Sequence, residues 1–136
     1  MSVIHAADAR RTETPNAVMT TLASPTQGGS QHAVWRVDMT PGAVGPTHVF
    51  DTDQVWTLLD GCVHIHVGDD DVTLASGDTM VIPADTRRQI FADPHCGMSA
   101  IVCAAAGSMV VPDTPDANAP ACASVVGNKF LPDWIA

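Results

Sequence analysis

From His32 onward the chain alternates short apolar runs with turn residues: AVWRVDM then TPG, QVWTLL then Gly61, VHIHV then GDDD, VTLA then Gly77, and finally TMVIP, RRQIFA and SAIVCA. Runs this short, spaced by turn signals about every 8 to 12 residues and without an amphipathic helical stripe, restrict the chain to an all-β sandwich or barrel. The full 136 residues fit one domain, with enough chain to bury roughly two-thirds of the surface that the unfolded form exposes.

The punctuation divides that domain into three parts. Residues 1–30 mix Pro15, Pro25, Gly28 and Gly29 with Ser and Thr, and read as an extended arm with one or two short strands that could cross to a partner subunit. Residues 31–108 hold the barrel strands. Residues 109–136 form an irregular tail with Pro112, Pro115, Pro120 and Pro132, which Phe130, Trp134 and Ile135 are expected to anchor on the barrel or a subunit interface. Cys62, Cys96, Cys103 and Cys122 show no paired spacing, and with no export signal they read as free thiols in the cytoplasm. The longest apolar run, MSAIVCAAAGSMVV, is shorter than the roughly 20 residues of a membrane helix.

Charge narrows the partners. Six basic residues against fifteen acids leave a formal −9, which opposes nucleic acid and anionic membrane. Fourteen of the acids are aspartates and only Glu13 is a glutamate, so chemistry in the body of the chain falls to Asp, His or Arg.

Gly42, His48, Phe50, Gln54 and Gly61, followed by Gly77 and Pro83, fall at intervals that carry specific information. These intervals resemble the two motifs of the cupin superfamily, whose first motif supplies two histidines and a glutamate, and whose second a third histidine, to one divalent metal. The resemblance spans Gly42 to about Phe91 and implies a double-stranded β-helix, a jelly-roll barrel of two antiparallel sheets. Gly42, Gly61 and Gly77 suit turns with positive φ, and Pro83 ends a strand where no ladder donor is needed. Aligned on those motifs, His48 takes the first ligand position. Phe50 stands at the second, Gln54 at that of the glutamate, and Arg88 at that of the later histidine, with Asp85 where glycine is usual. A unit charge pair at about 4 Å and an effective dielectric near 20 is worth about 4 kcal/mol, so a dication facing Arg88 meets about 8 kcal/mol of repulsion. That rivals the roughly 10 to 16 kcal/mol of a good structural zinc site. No cofactor is therefore expected; a divalent transition metal held weakly by His48 and Gln54 is the alternative.

Period-two alternation places His48, Phe50, Gln54, Trp56, Leu58, Arg88 and Ile90 inward, with Trp35, Met80 and Ile82 completing the walls. An aromatic pocket holding an imidazole, an amide and a guanidinium suits a small, partly aromatic carbonyl or carboxylate compound. As an enzyme it would use His48 as acid or base, Arg88 as oxyanion partner and Gln54 to orient the imidazole, in proton abstraction beside a carbonyl of the isomerase, cyclase or lyase type. The alternatives are a non-catalytic binding module and a metal-dependent oxygenase with an atypical site. Each polar group also has a structural reading: His48 bonding Gln54, Arg88 swinging out to Asp85, Phe50 and Trp56 as packing. The superfamily further implies a homodimer.

The run CVHIHV offers a rival metal site, with Cys62, His64 and His66 on one strand face. Since Val63, Ile65 and Val67 form the apolar set, the histidines are expected outside, where they could hold adventitious metal. Asp69, Asp70 and Asp71 read as a solvated hairpin turn without a calcium-loop pattern. Arg87, His5, His32 and His95 read as surface groups.

Overall fold

The computed structural model describes residues 1–112, 124–126 and 129–136. Cys122, Pro115 and Pro120 lie outside the described residues; Cys62, Cys96 and Cys103 are free thiols. After one short 3-10 turn, Ala6–Asp8, the described elements are strands. In chain order these are β1 (Arg11–Glu13), β2 (Val18–Ala23), β3 (His32–Met39), β4 (His48–Phe50), β5 (Gln54–Val67), β6 (Asp70–Ala75), β7 (Thr79–Ile82), β8 (Arg88–Ala92), β9 (Met98–Ala105), β10 (Val110–Pro112), β11 (Ser124–Val126) and β12 (Lys129–Leu131). They form the two antiparallel sheets of a jelly-roll barrel of the cupin type. No helix among the described residues is long and apolar enough to cross a membrane.

Strand β5 belongs to both sheets. Its first half pairs with β7 and β9, and its second half, from Cys62, with β6 and β8. QVWTLL and VHIHV, read from the sequence as separate strands around Gly61, are thus one strand of 14 residues. Glycine with positive φ signals a bulge as readily as a turn, and here the register against β9 slips between Leu58 and Asp60, with Gly61 at φ +81°. The slip reverses the alternation. Gln54, Trp56 and Leu58 are buried before it, whereas Val63 and Ile65 are buried after it.

The arm joins its own barrel, since β1 pairs with β2 and β2 with β3. At the other end Ile135 is fully buried, and Phe130 and Trp134 pack against the core. Thr21 Oγ1 donates to the Trp134 carbonyl at 3.0 Å, tying arm to tail. The turn after β5 comprises only Gly68 and Asp69, so Asp70 and Asp71, expected in the turn, open β6 instead.

Two glycines separate backbone strain from crowding. A Cβ on Gly61 would collide with the Gly97 carbonyl, while one on Gly77, at φ +91°, would meet nothing within 4 Å. Gly77→Ala is expected to cost about 1 kcal/mol from left-handed strain alone. Gly61→Ala is expected to cost well beyond that, about 3 kcal/mol or more, because β5 and the chain before β9 must separate. Urea unfolding of the two variants measures the difference.

Candidate functional site

Strands β4 and β8 meet at one residue pair, His48 opposite Arg88, which puts the two side chains on the same face. Arg88 is 2% exposed, so the guanidinium lies inside the barrel and does not swing out to Asp85. Its Cζ sits 4.3 Å from the centre of the Phe50 ring. Neither Nη1 nor Nη2 has a hydrogen-bond partner among the described residues. A desolvated cation–π contact returns about 2 kcal/mol, whereas burying an ion costs several kcal/mol, so the cation is under-compensated. Desolvation lowers the Arg88 pKa to about 10, which leaves it charged at neutral pH.

His48 is half-buried, with its ring 5.0 Å from that of Phe50. Its Nδ1 lies 2.9 Å from the Pro46 carbonyl, an atom that only accepts, so Nδ1 carries the proton and Nε2 keeps its lone pair. Burial and then the Arg88 charge lower the His48 pKa to about 4, against a smaller opposing effect of the Pro46 carbonyl. The ring is therefore neutral at pH 7, with a free basic nitrogen beside a fixed positive charge.

Gln54 does not orient His48. Its Oε1 accepts from Trp56 Nε1 at 3.0 Å, because a buried indole N–H needs an acceptor and residues two apart on a strand share a face. Gln54 is 1% exposed and its Nε2 has no partner among the described residues. Trp35, Phe50, Trp56, Leu58 and Ile90 are buried in one apolar cluster, and Met80 packs against it partly buried. The side chains expected to wall a pocket thus pack on one another. Two shallow recesses, of about 280 and 370 Å³, lie elsewhere; of the predicted pocket residues only Arg88 borders either one.

Asp85 has φ +58°, the left-handed conformation that explains why its motif position is usually glycine. Its N–H donates to the Phe50 carbonyl at 2.8 Å, which fixes β4 against the turn before β8. On the outer face, His64, His66 and Asp71 bring their ligand atoms within 4.8 Å of one another. The sequence reading placed both histidines outside but left Asp71 in a turn. The two-residue loop, countable from the sequence, sets Asp71 opposite His66.

Residues 35–95 match the family model for the Cupin domain, in agreement with the cupin β-barrel that the strands form. No curated protein matches its sequence significantly. Among solved structures, the polyketide cyclase RemF from Streptomyces resistomycificus superposes with a TM-score of 0.72 at 16% identity, over 86% of this chain and 88% of that one. KdgF from Halomonas sp. gives 0.65 at 19% identity, over 76% and 94%. Oxalate decarboxylase from Bacillus subtilis gives 0.67 at 13% identity over 73% of this chain, which spans only 27% of that enzyme. That enzyme contains Mn(II) centres.

Two measurements test the electrostatics of the site. Replacing an uncompensated buried ion by an apolar group of similar length relieves its desolvation, so Arg88→Met is expected to stabilise the free protein by about 1 to 4 kcal/mol in urea unfolding. A loss of stability would reveal a partner for the guanidinium. The folded pKa of His48, about 4, lies below the ordinary 6.5, so the unfolded chain binds more protons between those values. Stability from this group is present above pH 6.5 and is lost as pH falls towards 4. Unfolding midpoints across that window should fall more steeply for the native chain than for His48→Gln.

Proposed function

We propose that the barrel binds a small, partly aromatic carbonyl compound and moves a proton beside the carbonyl without a metal, as an isomerase, cyclase or lyase. The observation that carries this reading is the buried Arg88 guanidinium, whose two terminal nitrogens lack hydrogen-bond partners among the described residues, next to a neutral imidazole whose Nε2 keeps its lone pair. A ligand oxygen on Arg88 supplies the missing acceptor. The Gln54 amide N–H, also unpartnered, is a further donor within the same barrel.

The metal that cupin motifs imply does not fit these residues. The donor set reduces to His48 Nε2, since Phe50 cannot ligate and Gln54 Oε1 is engaged by Trp56. The guanidinium paired with His48 repels a dication by about 8 kcal/mol at 4 Å and an effective dielectric near 20. The positive charge facing the substrate is then that of Arg88.

In this mechanism His48 Nε2 takes a proton from the carbon next to the carbonyl. The C–H bond breaks, its electron pair moves onto the carbonyl oxygen, and Arg88 holds the resulting enolate. Return of the proton to another carbon completes an isomerisation; attack of the enolate carbon on a second carbonyl, whose oxygen then takes the proton back from His48, completes a cyclisation. The fold is shared with RemF, titled a polyketide cyclase, and that kinship in architecture agrees with the reading by analogy. The protein acts as a cytoplasmic homodimer, for which the exposed Val55 and Val81, paired across β5 and β7, offer an apolar face.

The test uses a panel of phenols, aromatic carboxylates and 1,3-diketones, titrated calorimetrically, with solvent deuterium exchange at the diketone carbon read by NMR. Arg88→Met is expected to weaken binding of the best ligand by about 100-fold, the value of a buried charge-assisted hydrogen bond of about 3 kcal/mol. His48→Ala is expected to retain binding and lose exchange. Equal exchange by His48→Ala and the native chain would remove the mechanism, and equal binding by Arg88→Met the site.

A further inference from the structure

Outside the barrel, β5 and β6 place three ligand groups on one face. His64 and His66 are two residues apart on β5, and Asp71 on β6 pairs in register with His66. Asp71 Oδ1 lies 3.4 Å from His64 Nε2 and also contacts His66 Nδ1. Ligand atoms around a tetrahedral zinc with bonds of about 2.1 Å stand about 3.4 Å apart, and the three ligand atoms here lie within 4.8 Å of one another, close enough for one ion to gather with small side-chain adjustments.

We infer that His64, His66 and Asp71 form a binding site for a divalent transition metal, zinc above all, on the outer face of the β5–β6 hairpin. The chemistry of the donors selects the ion. Two imidazoles and one carboxylate suit borderline metals, whereas calcium and magnesium prefer oxygen alone. Three protein ligands leave a fourth position of the tetrahedron open to water or a small anion.

The surroundings hold the ligands in place. His64 Nδ1 is 3.4 Å from Thr73 Oγ1, a neighbour that turns Nε2 towards Asp71. The centre of the Phe91 ring lies 4.9 Å from that of His66 and 5.9 Å from that of His64, in edge-to-face contacts that limit their rotation. Asp69 and Asp70 stand beside the site in the same hairpin and raise the local cation concentration, as does the net charge of −9. His64, His66 and Asp71 side chains are 42%, 48% and 58% exposed, so an ion reaches them without any opening of the barrel. The inference is independent of the barrel chemistry, since these histidines alternate with the buried Val63 and Ile65.

The experiment is calorimetric titration of zinc chloride into the untagged chain after removal of bound metal by a chelator. One ion per chain is expected. His64→Ala with His66→Ala should weaken binding at least about 100-fold, and Thr73→Val about 10-fold, as for other outer-shell partners. His48→Ala should bind zinc as the native chain does. All three positions are solvent-facing, and circular dichroism verifies the fold of each variant. Absence of stoichiometric binding, unchanged affinity in the double variant, or loss of zinc in His48→Ala would each overturn the site.

Discussion

Strand β5 sets the position of every group discussed above. It is the one strand that pairs with β6, β7, β8 and β9, and the bulge between Leu58 and Asp60 changes which parity of its residues faces the core. Before the bulge the inward set holds Gln54, Trp56 and Leu58; after it come Val63, Ile65 and Val67. A strand without the slip would carry Cys62, His64 and His66 into the core and push Val63 and Ile65 into water. The bulge therefore keeps two imidazoles out of the apolar interior, and Gly61 keeps the bulge, because its backbone touches that of Gly97.

Inside the barrel one positive charge has to be accommodated. The interior is apolar and aromatic, and Phe50 offers the guanidinium only the face of its ring. Among the described residues no carboxylate is paired with Arg88. An aspartate in the barrel would have compensated the cation fully, and it would have occupied the donors that a ligand oxygen uses on the proposed reading. Burial, and after it the same charge, depresses the basicity of His48 and keeps Nε2 deprotonated across the neutral range. Positive charge beside a neutral base is the combination that proton transfer to nitrogen with charge moving to oxygen demands.

The strands and their faces were legible because alternation is a property of short range: QVWTLL and VHIHV each declare an apolar parity without knowledge of the fold. Glycine at Gly61 was ambiguous, since a positive φ serves a turn and a bulge alike, and only the pairing with β9 decides between them. Parity with Ile90 turned Arg88 inward but left a swing towards Asp85 open, and the want of hydrogen-bond partners for its Nη1 and Nη2 among the described residues depends on contacts between β4 and β8 that the sequence does not display. Gln54 was assigned to His48 on proximity along the motif. The indole of Trp56, two residues away and equally buried, had the stronger need for its oxygen. Asp71 was passed over as one of three acids in a turn. Counting two residues of loop from Val67 would have set it against His66. The packing of Trp35, Phe50, Trp56, Leu58 and Ile90 on one another has a different cause: side chains drawn inward by parity either wall a space or fill it, and parity does not distinguish the two.

The net charge bears on which ligands the barrel favours. With −9 distributed over a small chain, an anion approaching from water meets a repulsive field before it reaches Arg88, and screening over about 8 Å at physiological salt reduces that field without abolishing it. A neutral carbonyl compound meets no such barrier. On the proposed reading its oxygen gains charge only once His48 has begun to take the proton, and the guanidinium then interacts more strongly with the transition state than with the bound substrate. Stabilisation confined to the transition state raises the rate of the chemical step, whereas equal stabilisation of a carboxylate substrate would merely tighten binding. An acidic shell around one buried cation thus favours substrates that become anionic within the barrel over those that arrive charged.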